Sequence, residues 1–259
     1  MKLHPLLFTS TVLFRSIFAA PSPAKGNGGT FNQYTRPPAA QAGVAKYFNE
    51  PGGTVELSHY DVRYYQGKPV SYEERVDSLS HLIRAYLMTF RERNIETWVA
   101  HGTLLGWWWN GKIMPWDWDL DTQVMVSTLA WLGENLNMTV HNYTAVASDG
   151  SESQRQYLLD VNPNYVDRTY GNGMNIIDAR WIDIRNGLFI DITGLSETRL
   201  TRQPGVWSCK NHHRYRTTDL YPLRETMFEG VPALVPYAFN KVLTDEYSKK
   251  ALTKTFHEG

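Results

Sequence analysis

Residues 101–123 read HGTLLGWWWNGKIMPWDWDLDTQ, and two kinds of site follow one another there. A small-residue turn, His101-Gly102-Thr103, comes after the strand-like run 95–100 and opens an apolar stretch able to start a helix. A turn of that kind presents backbone N–H groups to a phosphate. Downstream, Asp117, Asp119 and Asp121 alternate with Trp118 and Leu120. On a strand of period two their carboxylates share one face. Three like charges on one face repel unless a cation sits among them, and the apolar flanks Trp116, Val124 and Val126 argue that the strand is half buried, which makes unpartnered carboxylates costly. The spacing therefore predicts a Mg²⁺ or Mn²⁺ site beside a phosphate cradle, suited to phosphoryl or nucleotidyl transfer. A solvated polar strand face or a calcium loop is the competing reading.

The fold expected outward from this stretch is α+β, with a mixed sheet flanked by helices. A helix is predicted over 72–93, since Val76, Leu79, Ile83, Leu87 and Phe90 recur at three- and four-residue steps and Ser71 with Glu74 makes a capping box. A strand is expected within 60–70, a helix capped by Ser127 as far as 136, and strands at 139–145 and 156–161. A hairpin over 178–194 turns at Asn186-Gly187. It carries Asp183 and Asp191, each inside an Ile-Asp-Ile triplet. A two-residue loop puts Asp183 opposite Ile190 and turns it away from Asp191; a type I turn with a glycine bulge puts the two on one face. Residues 197–223 are loop-like and basic, and their cations suit a donor phosphate or an anionic acceptor. His212 and His213 with Cys209 match no standard zinc spacing. His101 is a structural hydrogen-bonder on the plainer view and a ligand or base on the sharper one. A turn at 228–232 and an amphipathic helix over 237–247 presenting Lys241 complete the chain.

Lysine plus arginine equals aspartate plus glutamate, 26 each, so no basic excess argues for nucleic acid. Residues 1–20 read as a secretory signal, with Lys2 as the positive region and Ala19-Ala20 before Pro21 as a cleavage point; Arg15 interrupts the apolar run, so an uncleaved anchor is the weaker alternative. Sequons at Asn137 and Asn142 agree with passage through the secretory pathway to the Golgi lumen or outside. Residues 21–54, rich in Pro, Gly, Ala and Asn, read as a flexible arm or linker, which leaves 55–259 as the folded domain.

The segments HGTLLG at 101–106, PWDWDLD at 115–121, DARWIDIRNGLFIDITGL at 178–195 and FEGVPALVP at 228–236, with Tyr247 after them, resemble the LicD and fukutin-related family of phosphosugar and phosphocholine transferases, most closely its fungal mannosylphosphate branch. That resemblance implies a DNA polymerase beta-like nucleotidyltransferase fold. It also implies a metal-bound nucleotide sugar as donor, GDP-mannose for this branch, and a glycan hydroxyl as acceptor. Asp119 and Asp121 would then hold the metal, with Asp117 assisting. Asp191 would activate the acceptor or join the metal shell, and the backbone of Gly102 and Thr103 would grip phosphate. Asp191 matches the family's catalytic carboxylate, whereas Asp183 matches the fungal branch alone. Many relatives carry an arginine where this chain has Trp109, which leaves Lys112 to serve donor phosphate. Two rivals stay open: a conventional D-x-D glycosyltransferase that moves the sugar without its phosphate and, since fungal relatives are regarded as positive regulators and the arginine is missing at Trp109, a donor-blind scaffold working with a partner transferase.

Overall fold

The computed structural model describes residues 44–146, 150–198 and 203–253. The expected signal at 1–20 and most of the expected arm lie outside them, as do Arg199 and Arg202. No helix among the described residues is long and apolar enough to cross a membrane.

In chain order the elements are α1 (Tyr72–Glu92), β1 (Trp98–Val99), α2 (His101–Asn110), β2 (Leu120–Met125), α3 (Val126–Asn135), β3 (Thr139–Val146), β4 (Glu152–Val161), β5 (Ala179–Asp183), β6 (Phe189–Glu197), β7 (Val206–Ser208), β8 (Arg214–Arg216), α4 (Thr217–Leu220), β9 (Arg224–Phe228), β10 (Val231–Val235) and α5 (Phe239–Ala251). The main sheet runs β1-β2-β6-β5-β4-β3, with β7 and β8 continuing off β6. Only β2 and β6 pair in parallel in that row; the other neighbours are antiparallel. The architecture is thus α+β, a mixed sheet flanked by helices.

Side-chain alternation divides the sheet into two faces. One face packs against α1: Trp181 of β5 lies edge-on to Tyr86 and Phe90 of that helix, and the Thr122 hydroxyl of β2 donates to Tyr86. Trp181, Tyr86, Tyr157, Phe90, Leu120, Ile190 and Ile192 are essentially inaccessible there. The opposite face carries Asp121, Asp191 and Arg180, as follows from the pairings Asp121↔Asp191 and Arg180↔Asp191. Helix α1 begins as its capping residues predict, with Ser71 accepting from the Glu74 N–H.

Several expectations are corrected. Asp117 and Asp119 precede β2 instead of lying on it. The Asp119 N–H donates to Asp117 Oδ1 at 3.2 Å, a local bond that competes with strand pairing. Residues 60–70 form no strand: Tyr60 makes a single bridge to Leu188, and a short 3-10 helix, Glu56–His59, precedes it. Met125, not Ser127, stands at the start of α3, and no side chain caps it. The basic stretch contains β7, β8 and α4, and the 228–232 turn is the tip of a β9–β10 hairpin in which Glu229 and Gly230 both take positive φ. Residues 44–54, expected to belong to the arm, pack on the domain: Phe48 is buried, and the Tyr47 hydroxyl donates to Asp160.

The return of the chain from α2 to the aspartates depends on Gly106. A Cβ built there would stand 2.6 Å from the Lys112 carbonyl oxygen, a backbone atom unable to swing aside. Gly106→Ala gains helix propensity yet forces the 112–114 segment off the helix. Stability should therefore fall by about 1–3 kcal/mol in urea unfolding; an unchanged or raised midpoint would show that the segment gives way freely.

Candidate active site

The site is assembled where β1 delivers the chain into α2. Ala100 N–H donates to the Asp121 carbonyl, and the Thr103 hydroxyl accepts from the Asp121 N–H at 2.8 Å. The turn and the aspartate strand are thereby stitched together. Thr103 is buried and its hydroxyl is spent on that bond, so only its backbone faces the role expected of it. Gly102 leaves a gap at the N-terminus of α2: a Cβ there would lie 3.4 Å from Asp117 Oδ2 and 4.0 Å from the Tyr247 hydroxyl. Asp117 Oδ2 is itself buried without a hydrogen-bond partner.

The parallel register sets Asp121 directly beside Asp191. Burial raises the pKa of Asp117 and of Asp119. It raises that of Asp121 well above the ordinary carboxylate range, with Asp119 and Asp191 adding repulsion. Asp191 is pushed up to about 6 by burial, against the pull of Arg180. Arg180 Nε donates to Asp191 Oδ1 at 2.8 Å while its other arm pairs with Glu50 at 2.8 Å. The guanidinium lies between the rings of Phe48, 4.8 Å away, and Phe189, 3.5 Å away. Arg180, shared with Glu50, acts on Asp191 and Asp119, and Arg75 acts on Asp117, whereas the charges that bear most on Asp121 are all carboxylates. Together with the orphaned oxygen of Asp117, this all-oxygen donor set is of the chemical kind that takes a hard divalent cation.

The carboxylates lie where two cavities meet. The larger, about 620 Å³, is lined by Asp119, Asp121 and Asp191 together with His101, His213, Arg214, Lys241 and Glu246. The smaller, about 370 Å³, shares Asp119 and Asp191 and is walled by Phe48, Glu50, His59, Arg180 and Phe189. The larger volume is of the size that small-molecule sites occupy.

Asp183 is not part of this group. The hairpin closes through a four-residue loop, with Asp183 N–H donating to the Leu188 carbonyl and Gly187 N–H to the Asp183 carbonyl. This is neither of the two expected registers, and it places Asp183 on the face opposite Asp191. Asp183 accepts from the Arg185 N–H at 2.9 Å and lies 3.8 Å from that guanidinium; Arg180, the other partner expected for it, belongs to Asp191. Lys112 is exposed and lines neither cavity, because the segment that holds it folds back along α2 away from the carboxylates. Trp109 donates its indole N–H to the Ala251 carbonyl and packs edge-on against Trp116. Asn137 and Asn142 are exposed.

Residues that sequence reasoning passed over supply much of the wall. Glu50 and Phe48 come from the expected arm, and Glu246 from α5. Lys210, counted among the cations free for phosphate, is buried against Asp178 at 2.9 Å.

The model of the family described as LicD/FKTN/FKRP, nucleotidyltransferase domain, matches residues 94–238, over half of the chain, and the chain belongs to that family. It is 34% identical over 162 residues to Mannosyltransferase regulator 4 of Saccharomyces cerevisiae, covering 59% of this chain and 13% of that protein. It is 35% identical over 161 residues to Mannosyltransferase regulator 14 of the same organism, covering 58% of this chain and 16% of that protein. The chain thus spans less than a fifth of the length of these curated relatives. Glu50 and Glu246 both lie outside the family-matched residues.

Proposed function

We propose that this chain is a metal-dependent phosphosugar transferase of nucleotidyltransferase fold, moving a sugar phosphate, mannose phosphate in the first instance, from a nucleotide diphosphate sugar such as GDP-mannose to a glycan hydroxyl. The observation that carries the reading is the convergence of Asp119 with Asp121 and Asp191, the last two paired across the β2–β6 register, beside the N-terminus of α2, in a cavity large enough for a nucleotide. Asp119 and Asp121 would hold Mg²⁺ or Mn²⁺, with Asp117 orienting them. When bound, the ion neutralises phosphate charge. The N–H groups of Gly102 and Thr103 face the donor's phosphates. Asp191, whose pKa near 6 suits proton transfer at neutral pH, takes the acceptor's proton or completes the metal shell. The leader-like residues 1–20 suit a place in the secretory pathway, with Asn137 and Asn142 as glycosylation positions and 55–259 as the body of the transferase domain.

A second reading is favoured by the same relatives, which are named regulators, and by Trp109 standing where many family members have an arginine. On that view the chain is a donor-blind scaffold that modulates a partner transferase without turnover. Calorimetry with GDP-mannose separates the possibilities. Binding that is weakened by chelator and rescued by Mg²⁺ or Mn²⁺, with release of nucleoside monophosphate once a glycan acceptor is added, is expected of the transferase. Absence of donor binding points to the regulator, and release of nucleoside diphosphate to a conventional D-x-D glycosyltransferase. Equal affinity with and without chelator removes the metal from the proposal.

A further inference from the structure

We propose that His101, His213 and Glu246 form a second metal site, of the mixed nitrogen and oxygen kind that takes Zn²⁺, on the wall of the larger cavity. One ligand atom from each residue lies within 4.8 Å of the other two. His101 Nδ1 and Glu246 Oε2 are 3.0 Å apart, and the two imidazole rings are 4.3 Å apart, centre to centre. With bonds of about 2.0–2.2 Å, donors around a tetrahedral zinc stand roughly 3.4 Å from one another. The His101–Glu246 spacing lies close to that value, and the third donor lies within 4.8 Å of both.

The three residues come from separate places in the chain: the start of α2, the segment between β7 and β8, and the middle of α5. A simple ion pair between His101 and Glu246 gives no reason for a second imidazole packed on the first. A cation with two imidazole ligands does. The supporting contacts resemble those around bound zinc, where neighbours orient each ligand. The Tyr215 hydroxyl donates to Glu246 Oε1 at 3.0 Å, which leaves Oε2 to the cluster. Cys209 Sγ touches His213 Nδ1 at 3.3 Å. Glu246 is held below the usual carboxylate range, burial being outweighed by His101 and Tyr215, and burial lowers His213 toward its neutral, ligating form. The open side of the cluster is the cavity itself, which provides the free position of a reactive zinc rather than the closed shell of a structural one. The donor set also differs in kind from the aspartates: imidazole selects Zn²⁺ where carboxylates alone select Mg²⁺ or Mn²⁺. The site stands on these donors whether or not the chain is a transferase.

The test uses the full chain, stripped with chelator and titrated with Zn²⁺ in the calorimeter. Wild type and Asp121→Asn should both bind Zn²⁺ with the same affinity, whereas His213→Ala and Glu246→Gln should each lose about tenfold or more. Co²⁺ added to stripped wild type should give the intense visible absorption of a tetrahedral nitrogen and oxygen site, and the same addition to Glu246→Gln should not. A thermal melt verifies that each variant folds; if His213→Ala does not, Glu246→Gln and the Co²⁺ spectrum decide. Zn²⁺ affinity abolished by Asp121→Asn and untouched by Glu246→Gln would place the ion among the aspartates and overturn the proposal.

Discussion

Arg180→Met should lower stability by about 3–5 kcal/mol near pH 7.5, the usual cost of leaving a buried charge without its partner. Arg180 is 3% exposed and holds Asp191 and Glu50 at once, so methionine keeps the packing between Phe48 and Phe189 and removes only the charge. Much of the loss should return at lower pH. Asp191 has a pKa of about 6 even with Arg180 in place, and without the guanidinium it rises further. A carboxyl whose folded pKa lies above its unfolded value of about 3.9 favours the folded state at low pH and loses that contribution as pH climbs through the folded pKa. Urea unfolding at pH 5 and pH 7.5, repeated on Arg180→Met combined with Asp191→Asn, reads the effect directly. The double variant should be more stable than Arg180→Met alone at pH 7.5, with most of the difference gone at pH 5. A double variant no better than the single one would mean that Arg180 acts through packing alone.

The arrangement around Arg180 also indicates what could be read from the chain and what could not. Helix α1 was legible because apolar spacing and a capping serine are local signals, and the hairpin carrying Asp191 was legible from its turn dipeptide. The register was not. Four residues, 184–187, form the loop, and Asn186 Oδ1 accepts from the Leu188 N–H, a side-chain bond that no count of turn residues anticipates. Parity then follows from the register, and with it the separation of Asp183 from Asp191. The aspartate motif announced its chemistry, but Asp117 and Asp119 turned out to sit in a bend held from α1, where Arg75 donates to the Pro115 carbonyl and lies 4.0 Å above the Trp118 ring. Contacts between segments so far apart leave no periodicity to detect. For the same reason Glu50, in a stretch whose composition suggested an arm, and Glu246, on a helix whose apolar face was the visible feature, were passed over.

Asp121→Asn should have opposite effects on the bare and the metal-loaded protein, and that reversal is the sharpest consequence of crowding Asp121 against Asp119 and Asp191. In chelator at pH 7 the variant should be more stable than wild type by about 1–3 kcal/mol, because it removes a buried carboxylate that repels Asp119 and Asp191. The advantage should shrink as pH falls toward the ordinary carboxylate range: Asp121, with its folded pKa raised, takes up a proton and the repulsion disappears in wild type as well. With saturating Mg²⁺ or Mn²⁺ the order should invert. Wild type gains about 2.7 kcal/mol at a cation concentration a hundredfold above its dissociation constant, while the variant, short of a central ligand, gains little. Thermal melts across pH with chelator and with added cation give all of these comparisons, and turnover, if the chain is a transferase, should drop by at least about 10²-fold in the variant. Should Asp121→Asn be the less stable protein in chelator at pH 7, the aspartates would have to be satisfied by the protein itself, and the case for a metal between them would fall with that result.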